Sequence, residues 1–596
     1  MKIKTKNRRD LVEAALGKRP CDLVIINTKI INVFTGEIYK GDVGIYDGFI
    51  AHIQCNPDEE ENQFEKRLTG THYCDAKGRY LLPGFIDAHA HIESTMMTPR
   101  NLAQAIIPYG TTTMVTDPHE IANVCGMEGV IYMHECSSDL PMRQLILVPS
   151  CVPAVPGLEN SGAEFSKNEV KSLLDLDRVI GLAEVMDFIG VINNDERMTS
   201  IIEAVDERNM FIEGHAPNLS GRELSAYLCA GPNSDHESTA PAEARRKIRA
   251  GMFVDARESS ITKNVEAIID GIKNFRYLDN LTLCTDDREP EDIIRNGHMN
   301  DVVRKAIYCG VHPVDAIRSA TFNVAREIGA KDLGAVAPGF IADLILVDDL
   351  KDMNPYAVFY EGKLAAKNGK LIEEIETINF DLEKRNTVII EKLTLESFVI
   401  KTPIDEGKVN TRVIKYSDFN SADTEFVFEE LPVINGCLDI SFDDDLKYVV
   451  VINRHPGHNT IGYGIVRNFG TKYGAVGSTV SHDCHNLIVV YDNPKNGFAA
   501  AMKVLENGGG LSCAAEGIIK GSLALPIAGL MSKKSCVELA EESTEMKNAL
   551  RNLGLTQSEN PLLRIATLAL PVIPKAKMSD LGIVDVLEQK IVPLFV

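Results

Sequence analysis

The sequence has 596 residues but no tryptophan, no C-x-x-C pair and nowhere about 18 apolar residues in a row, the length a membrane-spanning helix needs. The basic start, residues 1–10, is not followed by the apolar core of a signal peptide. Thirteen cysteines are scattered from Cys21 to Cys536, and without an export signal they predict reduced thiols rather than disulfides. We therefore expect a cytoplasmic protein.

Basic residues are also scarce, since 62 Lys and Arg stand against 85 Asp and Glu for a net charge of −23. Nucleic acid and anionic membranes would repel such a chain, so we expect neither as a partner. The zinc-deaminase pattern, H-x-E followed by P-C-x-x-C, is missing. Residues 508–510 are three glycines, but they lack the remaining residues of a phosphate-binding loop. A small, neutral substrate is compatible with these observations.

The composition and hydrophobic pattern of the sequence divide it into four stretches. Residues 1–82 and 333–385 contain short β-branched and aromatic runs cut by turn pairs, and we expect both to build one β domain. Between them, residues 83–332 alternate short apolar runs with helix-length polar stretches, which is the rhythm and length of a (β/α)8 barrel. Residues 386–596 predict an additional C-terminal domain of α+β character.

Individual strands are predicted at the apolar runs. In the barrel they cover 112–116, 144–148, 179–183, 211–212, 252–254 and 281–283. In the C-terminal domain they cover 448–452 and 487–491, and helical segments are predicted after the three glycines at 508–510, to the end of the chain.

The apolar run that begins at Leu81 ends in two histidines separated by one residue. Side chains on a strand repeat every two residues, so His89 and His91 face the same side and could bind one metal ion together. The alternative is a pair of solvated or core histidines. The residues that follow the later strands decide between the two.

Functional groups of such a barrel lie at the carboxyl ends of its strands, and here those positions are rich in metal ligands. They hold Asp117, His119, Glu120, Glu184, His215, His236, Asp286 and Asp287. Each has an ordinary structural explanation, such as a helix N-cap, a turn or a loop histidine. Together with His89 and His91, these histidines and carboxylates predict a divalent metal centre. Histidine and carboxylate without cysteine suit Mn, Fe or Zn.

The order of these ligands resembles the amidohydrolase superfamily, whose fold is a (β/α)8 barrel with a small flanking β-sandwich made from both sides of the barrel. A closer resemblance, to the bacterial and archaeal adenine deaminase family, extends over nearly the whole chain. Glu184 distinguishes the adenine deaminase family from the wider superfamily, because many members of the superfamily have a carboxylated lysine at this position. The motifs that carry it lie at 83–94, 116–124, 181–186, 214–217, 234–237, 284–288 and 481–487.

The resemblance implies a centre of two divalent metal ions, with Mn or Fe ahead of Zn. The first ion would be bound by His89, His91 and Asp286. The second would be bound by His215 and His236, and Glu184 would bridge the two.

The same resemblance implies a reaction. Hydroxide held by the ions would attack C6 of adenine, and the products would be hypoxanthine and ammonia, as in purine salvage. Asp286 would move a proton from the hydroxide, and Asp117, His119 or Glu120 would supply or position the proton for N1.

Other interpretations stay open. A cyclic amide hydrolase of the dihydroorotase or hydantoinase kind predicts a carboxylated lysine in place of Glu184. A scaffold homologue without metal or activity predicts missing ligands. In the C-terminal domain, His482 and His485 would share a face on a helix, where they could bind metal, cover the active site or simply pack. A homo-oligomer, dimeric or larger, is expected.

Overall fold

The computed structural model describes residues 3–55, 68–573 and 575–596, apart from the side chain of Leu563. None of the helices in those ranges combines the length and apolarity that crossing a bilayer requires. Strands and helices are numbered below in chain order.

The first sheet draws its strands from both sides of the predicted barrel. Its order is β16-β15-β14-β13-β5-β1-β2-β3, with β4 paired to β1. Strand β13 runs antiparallel to β5, with Leu344 opposite Pro83, so residues from 21–83 and 344–371 share one sheet. The strands are β1 (Cys21–Ile31), β2 (Ile38–Tyr46), β3 (Phe49–Cys55), β4 (Gly70–Asp75), β5 (Tyr80–Pro83), β13 (Leu344–Val347), β14 (Pro355–Tyr360), β15 (Lys363–Lys367) and β16 (Lys370–Leu371).

The middle of the chain forms a curled parallel sheet. Strands β10-β9-β8-β7-β6 make one five-stranded part, and β11 and β12 make a second part. The end of β12 returns to β6, because Asp286 N donates to His89 O at 3.0 Å. The strands are β6 (Phe85–Ala90), β7 (Thr111–Thr116), β8 (Arg143–Val148), β9 (Val179–Val185), β10 (Phe211–Gly214), β11 (Val254–Arg257) and β12 (Leu281–Cys284).

An extended segment, residues 233–235, lies between the two parts of this sheet. Asn233 N donates to Ile212 O at 3.3 Å, and Phe253 N donates to Asn233 O at 2.8 Å. The sequence does not predict this segment as a strand, because the segment is polar and contains no apolar run. The strand predicted at 252–254 is wrong except for its last residue, because Met252 N still bonds to Lys247 O at the end of a helix.

Helices follow most strands of the curled sheet and pack against it. The second helix after β9, Glu196–Asp206, for example, buries Met198 and Ile201 beside Leu182 of that strand. The α-helices up to the end of this region are α1 (Arg8–Ala15), α2 (Pro99–Ile106), α3 (His119–Cys125), α4 (Met127–Cys136), α5 (Lys167–Leu173), α6 (Phe188–Ile192), α7 (Glu196–Asp206), α8 (Gly221–Ala230), α9 (Pro241–Arg249), α10 (Val265–Ile272), α11 (Pro290–Asn296), α12 (Met299–Tyr308), α13 (Pro313–Ser319) and α14 (Phe322–Glu327).

Residues 386–596, called the C-terminal segment below, form a nine-stranded sheet of order β19-β18-β17-β21-β20-β23-β22-β24-β25 and a three-stranded sheet. The elements are β17 (Gly407–Tyr416), β18 (Thr424–Ile434), β19 (Cys437–Leu438), β20 (Leu446–Ile452), β21 (Ile461–Arg467), β22 (Ala475–Ser478), β23 (Leu487–Tyr491), α15 (Pro494–Glu506), β24 (Gly510–Ala515), β25 (Ile518–Ala524), α16 (Cys536–Asn552), α17 (Pro561–Ala566), β26 (Ala576–Ser579), β27 (Gly582–Asp585) and β28 (Lys590–Val592).

The end of the C-terminal segment differs from the prediction. Helical segments to the last residue are wrong, because β26, β27 and β28 form an antiparallel sheet. The turn between β26 and β27 ends at Gly582, whose φ of +132° a side-chain-bearing residue rarely adopts. Residues 508–510 turn into β24, and Gly509 lies against Gly529 where a Cβ would clash, so the three glycines serve close backbone packing.

Candidate metal centre

The two histidines of the H-x-H motif lie at the end of β6 and point to the same place. Their Nε2 atoms are 3.0 Å apart. Asp286 follows β12, and its Oδ1 lies 3.5 Å from His89 Nε2 and 3.4 Å from His91 Nε2. These three buried side chains are close enough to hold one metal ion.

Glu184, near the end of β9, lies between this group and a second pair of histidines. Its Oε1 is 3.4 Å from His91 Nε2. Its Oε2 is 2.6 Å from His215 Nδ1 and 3.1 Å from His236 Nε2. His215 follows β10, and His236 follows the extended segment 233–235. One carboxylate therefore contacts ligands from both predicted sets, and all six predicted ligands meet.

The outer nitrogens of His89 and His91 are held by oxygen acceptors. His91 Nδ1 donates to the carbonyl oxygen of Asp117 at 3.0 Å, and His89 Nδ1 lies 2.9 Å from Glu213 Oε1. A proton on each Nδ1 leaves a lone pair on each Nε2, directed into the cluster. This arrangement is typical of metal-binding histidines, whose second nitrogen is usually bound by a carboxylate or carbonyl group.

The charges of the cluster suit a divalent cation. Burial alone would raise the pKa of Glu184, but His236 and His215 outweigh it and hold that pKa well below its usual range. Arg257, 2.6 Å from Asp286 Oδ2, likewise lowers the pKa of Asp286 against the effect of burial. Buried Asp117 Oδ1 and His236 Nδ1 have no hydrogen-bond partner. Ionised carboxylates and imidazole nitrogens form a donor set that fits a divalent metal ion.

The three residues predicted after β7 lie at the start of α3, beside the ligands. His119 Nδ1 is 3.1 Å from Asp117 Oδ2 and 3.6 Å from Glu184 Oε1. With His91, these side chains form a second group at metal-binding distances. Glu120 points elsewhere, and its Oε1 accepts a hydrogen bond from Ser94 Oγ at 2.9 Å.

A turn of the C-terminal segment covers this side of the cluster. The turn over 482–484 replaces the helix on which the two histidines would share a face. Asp483 Oδ1 is 3.6 Å from His119 Nε2, and His482 Nδ1 is 3.8 Å from Glu120 Oε1. No local signal identifies Asp483 as a neighbour of the centre.

His485 also lies on this side of the centre, with Nε2 directed towards Glu120. Its Nδ1 accepts a hydrogen bond from Ser481 N at 3.2 Å, so its proton is on Nε2, which lies 3.8 Å from Glu120 Oε2. A protonated Nε2 has no lone pair for a metal ion. The geometry therefore favours the covering interpretation of this motif over metal binding.

Ser94 and Asp287 are further site residues that the sequence did not single out for a role. Ser94 Oγ lies 2.5 Å from Asp287 Oδ1 as well as 2.9 Å from Glu120 Oε1. Ser94 Oγ therefore links Glu120 and Asp287, although its single proton can be donated to only one of the two oxygens at a time. Burial raises the pKa of Asp287, and the nearby Asp286 raises it further.

A buried ion-pair network positions the second pair of histidines. Asp235 Oδ1 accepts from Ala216 N at 2.8 Å, which ties the residue after His215 to the residue before His236. Lys247 Nζ donates to Asp235 Oδ2 and Glu243 Oε1, both at 2.8 Å. Burial opposes ionisation of Asp235, but Lys247 holds the pKa of that carboxyl below its usual range.

We expect Lys247→Met to destabilise the protein by about 3–5 kcal/mol, because it leaves buried Asp235 and Glu243 without their cation. Metal affinity should fall with it, since the loops of His215 and His236 lose their support. Chemical denaturation and metal content per chain measure both effects. Lys273→Met, at an exposed pair with Asp270, is the matched control. Wild-type stability in Lys247→Met would contradict the positioning role.

Comparison with known proteins agrees with the geometry of the site. Residues 80–365 match the amidohydrolase family, and residues 421–590 match the adenine deaminase C-terminal domain. The chain is 40% identical over 586 residues to "Adenine deaminase 2" of Carboxydothermus hydrogenoformans, which covers 98% of this chain and 99% of that protein. The chain belongs to the adenine deaminase family. Another member, "Adenine deaminase" of Clostridium acetobutylicum, is 38% identical over 580 residues, covering 97% of this chain and 98% of that one.

Solved structures are more distant from this adenine deaminase family chain. A β-aspartyl dipeptidase from Fervidobacterium islandicum is 19% identical, covers 60% of this chain and 100% of its own, and has a TM-score of 0.43. Family membership and the clustered histidines and carboxylates together are compatible with a divalent metal centre.

Proposed function

We propose that this protein is an adenine aminohydrolase, which converts adenine and water to hypoxanthine and ammonia in purine salvage. The observation that carries the proposal is Glu184, a buried glutamate that contacts ligands of both predicted sets. Its support comes from near full-length relatives that bear the name adenine deaminase. A cyclic amide hydrolase would need a carboxylated lysine where this chain has Glu184.

The residues that would hold metal are the predicted six. We propose two divalent ions, Mn or Fe ahead of Zn, with His89, His91 and Asp286 for the first, His215 and His236 for the second, and Glu184 for both. Bound there, the ions would lower the pKa of water towards about 7 and so provide a nucleophile at neutral pH.

Proton transfer falls to the chain's own carboxylates. Asp286 would accept the proton of the attacking water and pass it towards the leaving amino group, since its Oδ1 lies at the centre of the ligand cluster. Glu120 or Asp287, each within hydrogen-bond distance of Ser94 Oγ, would supply the proton for N1 of the purine. His119 and Asp117 would position Glu120 through the first turn of α3, or bind metal with His91.

We propose a division of the chain into residues 1–82 and 333–385 as two parts of a β-sandwich, 83–332 as a (β/α)8 barrel, and 386–596 as the C-terminal domain. The segment 233–235 supports the barrel, because it supplies an extended strand position between β10 and β11. Buried cysteines such as Cys284 and Cys513 are free thiols, which suits the reducing cytoplasm. A homo-oligomer is proposed as well, and sedimentation of the purified protein tests it.

The test of the activity is direct. Purified protein is analysed for bound metal and then incubated separately with adenine, adenosine and dihydroorotate, with ammonia release and ultraviolet absorbance as readouts. We expect turnover of adenine alone. Turnover of adenosine or of the cyclic amide without turnover of adenine would refute the assignment.

A further inference from the structure

A small cavity lies against the candidate metal centre, between the curled sheet and the C-terminal segment. Its volume is about 40 Å³, and its polar side is formed by Ser94, Asp287 and His482. Its apolar side includes Leu511 and Leu562 of the C-terminal segment. Polar groups on one side and an apolar wall on the other suit a flat heterocycle. This volume is far below the roughly 300–1,000 Å³ of ligand pockets, so the wall must move to admit a purine.

A second, larger cavity continues outward from the first. It measures about 420 Å³, opens between α11 and α16, and has mostly polar walls. Ile261, Glu289 and Asn560 line both cavities, so these three residues form the boundary between them. A path from the solvent to the centre therefore passes Glu289 and Asn560.

This boundary is closed by contacts between the curled-sheet region and the C-terminal segment. Lys547 Nζ lies 2.6 Å from Glu289 Oε2 and 2.9 Å from Glu291 Oε1. Asn560 Nδ2 donates to Glu289 Oε1 at 2.9 Å. Both carboxylate oxygens of Glu289 are thus bound by the C-terminal segment. We call Glu289, Lys547 and Asn560 the gate.

We propose that the gate opens to admit a free purine base and closes behind it, and that the closed gate excludes purines substituted at N9. The inference rests on the proposed function. For C6 to face Asp286, the opposite edge of the purine, which carries N9, must face outward along the path. A sugar on N9 would then occupy the space in which Glu289 meets Asn560. The gate is thereby a specificity-determining contact contributed by the C-terminal segment.

The gate can loosen without dismantling the site. None of its three residues is one of the six proposed metal ligands. Its ion pair joins α16 to the start of α11 through side chains alone, with Lys547 Nζ between two carboxylates. Removing the ammonium removes the attraction of Lys547 on α16 to Glu289 and Glu291 on the other side of the gate, which favours the open state.

The experiment compares adenine with 9-methyladenine and adenosine in the metal-loaded full-length protein. The variants are Lys547→Gln, Asn560→Ala and their combination. Lys534→Gln is the control, since Lys534 pairs with Glu542 inside the C-terminal segment. We expect the ratio of kcat/KM for 9-methyladenine to that for adenine to rise roughly tenfold or more in the double variant, and to stay at the wild-type value in the control. A general loss of structure would lower both rates and would not raise this ratio.

An unchanged ratio in the variants, with adenine still turned over, would overturn the gate and leave the proposed function intact. Wild-type protein that turns over 9-methyladenine as well as adenine would overturn it too. If the double variant fails to fold, Asn560→Ala alone decides, because it removes one neutral hydrogen bond and no charge. Absence of adenine turnover by the wild-type protein would instead refute the proposed function itself.

Discussion

Replacing Glu184 by alanine is expected to abolish adenine turnover, with a loss of more than about 10³-fold, because even residues that only support a metal ligand typically contribute about 10–100-fold. Glu184 contacts His91 on one side and both His215 and His236 on the other. Its removal should therefore disturb both halves of the centre. Metal content per chain should fall in the same variant, as measured by elemental analysis after gel filtration.

The control for this variant is Glu203→Ala, an exposed glutamate on α7. It should retain wild-type activity and metal. Denaturation of both variants separates loss of the centre from loss of the fold. Full activity and full metal content in Glu184→Ala would contradict the bridging role.

Asp286→Asn is expected to lower kcat by about 10²–10⁴-fold, the usual contribution of a positioned acid-base group. The asparagine keeps an oxygen that can bind metal, but it cannot take a proton at neutral pH. We therefore expect metal content to fall far less than kcat. Steady-state kinetics with elemental analysis of the same sample measures the two effects side by side.

Two results would weigh against Asp286 as the proton carrier. One is a kcat close to that of the wild-type protein. The other is a loss of metal equal to the loss of activity, which would make Asp286 a ligand only. Asp270→Asn, at an exposed pair with Lys273, provides the background value.

Most of the ligand set is predictable from the sequence, because all of its members except His236 follow an apolar run. His89 and Glu184 follow apolar runs that form β6 and β9. The carboxyl ends of parallel strands meet at one edge of the sheet. Nothing more than strand ends is needed to bring these ligands together. The polar segment 233–235 has no such signal, and its strand position is defined by backbone bonds to its neighbours.

The covering turn and the gate could not be predicted in the same way. Asp483 reaches His119, and Lys547 reaches Glu289, across more than 250 residues of sequence. These contacts depend on how the C-terminal segment docks on α3 and α11. Local patterns carry no information on that docking, although covering the active site is one of the roles that the sequence predicts for His482 and His485.

The central claim is that water replaces the amino group at C6 of adenine within the Glu184 cluster. The most direct measurement is incubation of the metal-loaded protein with adenine in ¹⁸O-labelled water, with the product analysed by mass spectrometry. The account predicts hypoxanthine that carries the heavy oxygen, together with one ammonia for each adenine consumed, and no such product from Glu184→Ala. Unchanged adenine with the wild-type protein, or labelled hypoxanthine formed equally by Glu184→Ala, would contradict it.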